Sequence, residues 1–272
     1  MAYLGGKATS AQHILKVLNH PLLDNMIYIE PFCGYCHILR RVENKKKYIA
    51  SDSNDLLITL LKHIQKTKED HPKITKDEYT VLRKDPSSNP LRAAYAAFTY
   101  SYNGKYFAGF VGNNNTGVTR SYPAERKRYY NKLHDNPIFQ KTSIKHLRYD
   151  AFVPEKVKHC LIYCDPPYAG TEEYRNAFDS EDFWNWVRRM TAHNYVFVSE
   201  YKAPSDFICI SQLSKRQTIS VKAPSIKEEK VFIHESLLND PVIQQVIHDA
   251  ESSFPCTPIT LGLNKTRKRN KN

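Results

Sequence analysis

Asp165-Pro166-Pro167-Tyr168 follows the apolar run Leu161-Ile162-Tyr163-Cys164 and sets a carboxylate, a constrained carbonyl and an aromatic ring within four residues. That set suits an exocyclic amine on a nucleic-acid base. Such an amine is a poor nucleophile because its lone pair is delocalised into the ring. A carboxylate and a carbonyl that each accept one N–H bond draw the nitrogen toward tetrahedral geometry and localise the pair. Asp165 offers the carboxylate, and Pro166, with its φ locked, offers the carbonyl. Pro167 stiffens the turn and keeps Pro166 out of helix. Tyr168 would stack on a base drawn out of its duplex, as enzymes that act on bases require. The same residues also read as a Pro-Pro turn with an exposed acid and a core tyrosine, and spacing alone leaves both readings open.

A second group lies in the N-terminal half. Glu30-Pro31-Phe32-Cys33-Gly34-Tyr35-Cys36 sits where a short apolar strand turns, and Asp52 closes the next strand 18 residues after Gly34. A glycine that permits close backbone approach, followed about 20 residues later by an acid for ribose hydroxyls, is the nucleoside-binding logic of doubly wound folds. Tyr3-Leu4-Gly5-Gly6-Lys7 is a glycine turn with a lysine and lacks the spacing of a phosphate-binding P-loop. Lys7 could neutralise a small carboxylate, or be an exposed terminal lysine.

Alternating helices and strands position these groups. Ala11, Ile14, Leu15 and Leu18 mark one helical face, and Met26–Ile29 and Tyr48–Ala50 read as strands. His37 to Val42 can start a helix, and Asn54 caps another that carries Leu57, Leu60, Leu61 and Ile64. After residue 145 the rhythm resumes with Leu161–Cys164, a helix from Ser180 bearing Phe183, Trp184, Val187 and Met190, and a strand at Tyr195–Val198. Further strands are expected at Phe207–Ile210, Thr218–Val221 and Val231–Ile233. This pattern predicts an α/β fold, a doubly wound parallel sheet covered by helices. Residues 1–65 and 146–250 would form it, interrupted at 66–145 by a smaller module of helices, loops and a hairpin. Helices over Thr75–Leu82 and Leu91–Tyr100 and an Asn103-Gly104 hairpin turn belong to that module. Trp184 and Trp186 read as core and packing residues of one helix rather than a base-stacking platform.

The 272 residues are 41% hydrophobic and 12% aromatic, which excludes wholesale disorder. No apolar run reaches the roughly 18 residues of a membrane span, and the first sixteen residues have no signal-peptide core. A cytoplasmic or nuclear setting with reduced thiols is therefore expected for the six cysteines. Forty Lys and Arg against 28 Asp and Glu give a net charge of +12. Lys265, Arg267, Lys268, Arg269 and Lys271 carry five of those charges in a tail, 251–272, expected to be disordered. A second concentration, from Arg120 to Arg148, sets eight Lys and Arg against Glu125 and Asp135. A polyanion partner, nucleic acid before membrane, accounts for it; a solvated basic face is the plainer alternative.

Together these motifs resemble the Dam-type DNA adenine-N6 methyltransferases, in the class whose cofactor motif precedes the catalytic one. The family's aromatic-x-Gly-Gly-Lys matches Tyr3 to Lys7, its Glu-Pro-Phe-x-Gly matches Glu30 to Gly34, and its acid-x-Asn matches Asp52-Ser53-Asn54. Its Asp-Pro-Pro-Tyr matches Asp165 to Tyr168, and its acid before the catalytic strand matches Asp150. Tyr102-Asn103-Gly104-Lys105-Tyr106-Phe107 looks like the stretch near its target-recognition region, and Val198–Tyr201 and Glu229–Ile233 resemble its later strands. The likeness runs from about Tyr3 to Glu235. It implies S-adenosylmethionine across the turn at Gly34, with Glu30, Phe32 and Asp165 lining its site. The methionyl end would lie near Tyr3 and Lys7, the ribose on Asp52 and the adenine near Asp150. It further implies in-line methyl transfer without a metal. Duplex DNA would be the partner, contacted by Lys105, Arg120, Arg126, Lys127, Arg128 and Lys132.

One departure stands out. Cys36 replaces a second glycine or small residue of the family loop, and an altered cofactor affinity is expected unless its side chain points away. It also creates Cys33-Gly34-Tyr35-Cys36, a possible redox pair, though a redox protein leaves Asp52, Asp150 and Asp165–Tyr168 unexplained. A zinc site shared with Cys160 and Cys164 is not expected, because those two bracket a buried strand whose alternate side chains diverge. His13, His37, His63 and His193 have no mutual spacing of a ligand set. Three other functions fit the motifs: the same chemistry on RNA or single-stranded DNA, methylation of a protein amide, and a catalytically dead DNA-binding module.

Overall fold

The computed structural model describes residues 11–68, 71–112, 122–167, 178–217 and 225–251. The chain order is α1 (Ala11–Leu18), β1 (Ile27–Glu30), β2 (Lys47–Asp52), α2 (Asp55–Lys66), α3 (Lys76–Lys84), α4 (Pro90–Phe98), α5 (Tyr122–His134), α6 (Pro137–Gln140), β3 (Ser143–His146), β4 (Cys160–Cys164), α7 (Ser180–Thr191), β5 (Tyr195–Glu200), β6 (Phe207–Gln217), β7 (Ser225–His234) and α8 (Pro241–Glu251). The seven strands form one sheet in the order β3-β2-β1-β4-β5-β7-β6. The first five run parallel, and β7 lies antiparallel to both β5 and β6. The sheet is therefore doubly wound as expected, but mixed. The strand expected at Thr218–Val221 lies outside the described residues.

Alternation along the central strands builds two cores. On β4, Leu161 and Tyr163 join the core shared with α1, α2, α4, α5 and α8. Cys160, Ile162 and Cys164 join the opposite core, with Phe183, Trp186, Val187 and Met190 of α7. So Cys160 and Cys164 share a face, contrary to the expectation that they diverge. They are nonetheless four residues apart, roughly 13 Å along a strand, and Cys33 and Cys36 belong to the other core. No group of three or more metal-ligating residues occurs among the described residues. Trp184 and Trp186 are both buried, and Trp186 donates its indole N–H to the Phe152 carbonyl at 2.8 Å.

The insertion packs against α2 without a core of its own. Asn54 caps α2, accepting from the Leu57 amide at 3.0 Å, and the buried Leu57, Leu60, Leu61 and Ile64 continue into Ala93, Ala94, Ala96 and Ala97 of α4. The four alanines are fully buried, which lets the two helices approach closely. The Asn103-Gly104 turn takes positive φ at both residues, +53° and +66°. Its flanks form an isolated antiparallel bridge, Ser101 with Phe110, rather than a full hairpin. Where a helix was expected from His37, only a single 3-10 turn forms at Leu39–Arg41, because Cys36 enters it in the left-handed region, at φ +56°, and Val42 leaves it extended. Among the described residues no helix is long and apolar enough to cross a membrane.

Ala97→Leu should overpack the α2–α4 contact and lower stability by about 1–3 kcal/mol. Val81→Ala, at a site 61% exposed on α3, should change it by less than about 0.5 kcal/mol. Chemical denaturation of the two variants checks the contrast.

Candidate active site

The sheet reverses its winding between β1 and β4, and the crevice beyond the carboxyl ends of such strands is where open α/β sheets hold ligands. Parallel pairing aligns Ile29 with Ile162, so Glu30 at the end of β1 lies at the level of Tyr163, two residues before Asp165, and close enough to feel the Asp165 charge. Glu30 is 2% exposed. Its carboxyl accepts the Tyr28 hydroxyl at 2.6 Å and a bond from the Leu39 amide. Burial pushes its pKa up to about 8, and the neighbouring Asp165 charge pushes the same way. A carboxyl in that environment keeps its proton near neutrality. Pro166 is buried, while Asp165 and Pro167 are half-buried. Tyr168 lies outside the described residues.

One strand over, the Gly34 amide donates to Asp52 Oδ2 at 3.2 Å and the Asn54 amide to Oδ1 at 3.0 Å. One backbone bond thus pins Asp52 to the loop after β1 and the other to the start of its own following turn, with acceptor capacity left on each oxygen. Burial raises its pKa. Gly34 has φ +46°, and a Cβ placed on it would meet no atom within 4 Å, so the space above the loop is open. Phe32 stacks on Tyr149 at 5.3 Å and meets Phe183 edge-on at 5.6 Å. That stack joins the β1 loop to the segment after β3, where the Leu147 amide bonds the Asp52 carbonyl at 3.2 Å. Asp150 is exposed, paired with Arg148 at 3.0 Å, and borders a cavity of about 220 Å³ with Asp182, Asn185 and Arg189 of α7.

Glu30, Phe32, Gly34, Asp52, Asp150, Asp165, Pro166 and Pro167 therefore gather at one end of the sheet. Tyr3 and Lys7 lie outside the described residues. The Cys36 side chain is fully buried in the core on the α2 side, which takes it off the open face of the loop. Its left-handed backbone costs about 1–3 kcal/mol for a non-glycine residue. Cys33 is buried too, and the hydrogen bond with Cys36, followed by burial, holds its thiol well above the ordinary range. A redox pair needs the opposite shift.

Of the expected DNA-contacting residues, Arg128 and Lys132 are exposed one turn apart on α5, and Lys105 is half-buried. Lys127 is also half-buried and donates to the His71 carbonyl at 2.9 Å. Arg126 needs correction: it is only 4% exposed, and its guanidinium lies 5.5 Å over the Tyr35 ring. It is a packing residue between the insertion and the β1 loop. Arg120 lies outside the described residues. Sequence reasoning missed Tyr28, Tyr35 and Tyr129. The Tyr28-x-Glu30 spacing on a strand, which sets both side chains on one face, was the signal for the first; long-range contacts of the other two leave no local pattern.

Between about pH 4.5, the ordinary value, and pH 8 the folded chain holds a Glu30 proton that the unfolded chain has released. The stability this proton confers is complete below that window and is lost as pH rises through it. Asp52, also shifted upward, adds to the same slope. Glu30→Gln keeps an acceptor for Tyr28 and cannot ionise. Its Tm should fall less than the wild-type Tm between pH 5 and 8.5, and an equal fall would contradict a buried proton on Glu30.

A family model described as D12 class N6 adenine-specific DNA methyltransferase matches residues 3–187, well over half of the chain. Solved structures similar to this one include an rRNA methyltransferase, aviRa, from Streptomyces viridochromogenes (15% identity, 94% of this chain and 89% of that one, TM-score 0.37). Another is an rRNA methylase from Streptococcus thermophilus (10% identity, 83% and 93%, TM-score 0.34). A third is a Streptococcus mutans methyltransferase solved with S-adenosylhomocysteine (8% identity, 82% and 96%, TM-score 0.33). Likeness at that level says nothing about substrate. No curated protein matches the chain. The cofactor of such methyltransferases is S-adenosylmethionine, and the residues present fit it. The Gly34 backbone is open, Asp52 offers carboxylate oxygens for two hydroxyls, and the paired acids at β1 and β4 favour a cationic ligand. With this sheet order, this crevice and a match that spans both motif groups, the chain belongs to the D12 class of N6 adenine-specific DNA methyltransferases.

Proposed function

We propose that this protein transfers a methyl group to the N6 amine of adenine in duplex DNA. The observation that carries the reading is the arrangement at the sheet's winding reversal: Asp165 and the Pro166 carbonyl one strand from an open glycine loop pinned to Asp52. Asp165 and Pro166 each accept one N–H of the target amine, which localises the nitrogen lone pair. The fixed φ of Pro166 and Pro167 holds these acceptors in place before the base arrives, so little ordering remains at the moment of reaction. S-adenosylmethionine supplies an electrophilic methyl on a sulfonium, so the C–N bond forms as the S–C bond breaks and the nitrogen loses a proton to water. Asp52 holds the ribose, Phe32 and Asp150 border the adenine, and Tyr3 and Lys7 take the methionyl end. The target base leaves the helix to reach this crevice, and Tyr168 stacks on it.

The insertion supplies the DNA surface. Arg128 and Lys132 stand one turn apart on the solvent side of α5, a spacing that follows a phosphate backbone, and Lys105 sits beside the Asn103-Gly104 turn. Arg120 and Lys127 complete the set. Lys127 reaches a phosphate only by giving up the His71 carbonyl.

Labelled methyl transfer to mixed-sequence duplex DNA, with nucleoside analysis of the product, tests the reading. N6-methyladenine is expected. Label on cytosine N4, on RNA alone or on protein would each overturn it, as would cofactor binding without turnover. Asp165→Ala should abolish transfer while leaving the fold intact, and substantial residual activity would remove Asp165 from its role. Arg128→Glu with Lys132→Glu should weaken DNA binding and flatten the log–log salt slope by about two, near 0.9 for each phosphate that the side chains no longer neutralise.

A further inference from the structure

Tyr35 lies inside the β1 loop, between Gly34 at φ +46° and Cys36 at φ +56°, yet its side chain belongs to the insertion. The ring is 3% exposed. Its hydroxyl donates to the Gly104 carbonyl at 3.2 Å, 69 residues away, and its own carbonyl accepts the Tyr129 hydroxyl of α5 at 2.6 Å. The Arg126 guanidinium covers the ring at 5.5 Å, and Phe98 of α4 meets it edge-on at 6.0 Å. Gly104 is held on its other side as well, because a Cβ there would land on the Arg126 guanidinium. One residue of the cofactor-side loop is thus bonded through both its side chain and its backbone to the module that carries the DNA-side residues.

We propose that Tyr35 is a positioning residue that couples cofactor binding to DNA binding, with its hydroxyl and the Gly104 carbonyl as the coupling contact. This coupling rests on the methyltransferase reading. The Gly34 amide, one residue before Tyr35, is fixed on Asp52. The Gly104 carbonyl belongs to a turn whose amides at Gly104 and Lys105 are already bonded to Ser101 and Tyr102, so a shift at one end is passed on rather than absorbed locally. A ligand that orders the Gly34 loop therefore orders the 102–105 turn, and the reverse holds by the same factor, since coupling free energies are reciprocal.

The test measures the affinity of S-adenosylhomocysteine for the full chain with and without saturating mixed-sequence duplex DNA, and DNA affinity with and without S-adenosylhomocysteine. Wild type should show a coupling factor of about fivefold or more. Tyr35→Phe, which removes one oxygen and keeps the ring, should lower that factor at least about threefold, equally from both directions. Each affinity measured alone should stay within about twofold. In steady state it should raise the KM for cofactor at saturating DNA more than it lowers kcat, a split that a general loss of folding does not produce. Tyr129→Phe, which frees the loop's backbone instead, should act in the same direction. A coupling factor unchanged in both variants, or absent from the wild type while both ligands bind, would overturn the inference and leave the methyltransferase reading intact. Failure of the wild type to bind DNA at all would overturn the DNA reading, and this inference with it.

Discussion

Two carboxyls on neighbouring parallel strands set the terms for the rest of this site. Register sets Glu30 at the end of β1 two residues before the level of Asp165 beyond β4, near enough for the Asp165 charge to act on it, and burial denies Glu30 the water that would let it ionise near its ordinary pH. A buried acid next to another acid is costly unless it is protonated or faces a cation. The structure provides for the first through burial and the Asp165 charge, which outweigh the bonds that the Tyr28 hydroxyl and the Leu39 amide donate to the carboxylate. Its chemistry calls for the second, a donor whose methyl sits on positively charged sulfur. The short strands, the winding reversal and the two proline-fixed residues after β4 all hold that pair at the mouth of an open loop.

The rest of the site is held by backbone amides and by aromatic side chains. Asp52 is fixed by two amides, Gly34 leaves its upper face clear, and the Phe32–Tyr149 stack ties the β1 loop to the segment after β3. The insertion reaches the same loop through Tyr35 and Tyr129. Residues of α4 and α5 share one buried core with α2, so this stretch is packed as part of the sheet's helical layer and has no separate core.

The central strands and the motif ends were legible because their signals are local. Apolar runs predicted β1, β2, β4 and β5, and a cap followed by period-3.6 leucines predicted α2. β3 was not legible: it is an edge strand, Ser143–His146, with only Ile144 buried, so it leaves no apolar run. α5 was hidden because its buried face includes Arg126 and Tyr130 beside Leu133, residues that look like surface in a sequence. α8 carries Ile243, Val246 and Ala250 on one face, a pattern plain enough to have been found. The helix expected after Gly34 fails at Cys36, whose left-handed backbone no periodicity reveals. Among the site residues, motif spacing located the acids, but burial decided which cations face solvent. Arg126 and Arg128 are indistinguishable in sequence and opposite in exposure.

The most direct test is a carbon-13 NMR titration of the Glu30 carboxyl, in the free protein and with S-adenosylmethionine or S-adenosylhomocysteine bound. A midpoint near 8 is expected in the free protein, moved down by S-adenosylmethionine more than by its uncharged-sulfur product. A midpoint near 4.5, or one that neither ligand moves, would contradict a site organised around a buried acid pair that meets the cationic methyl donor.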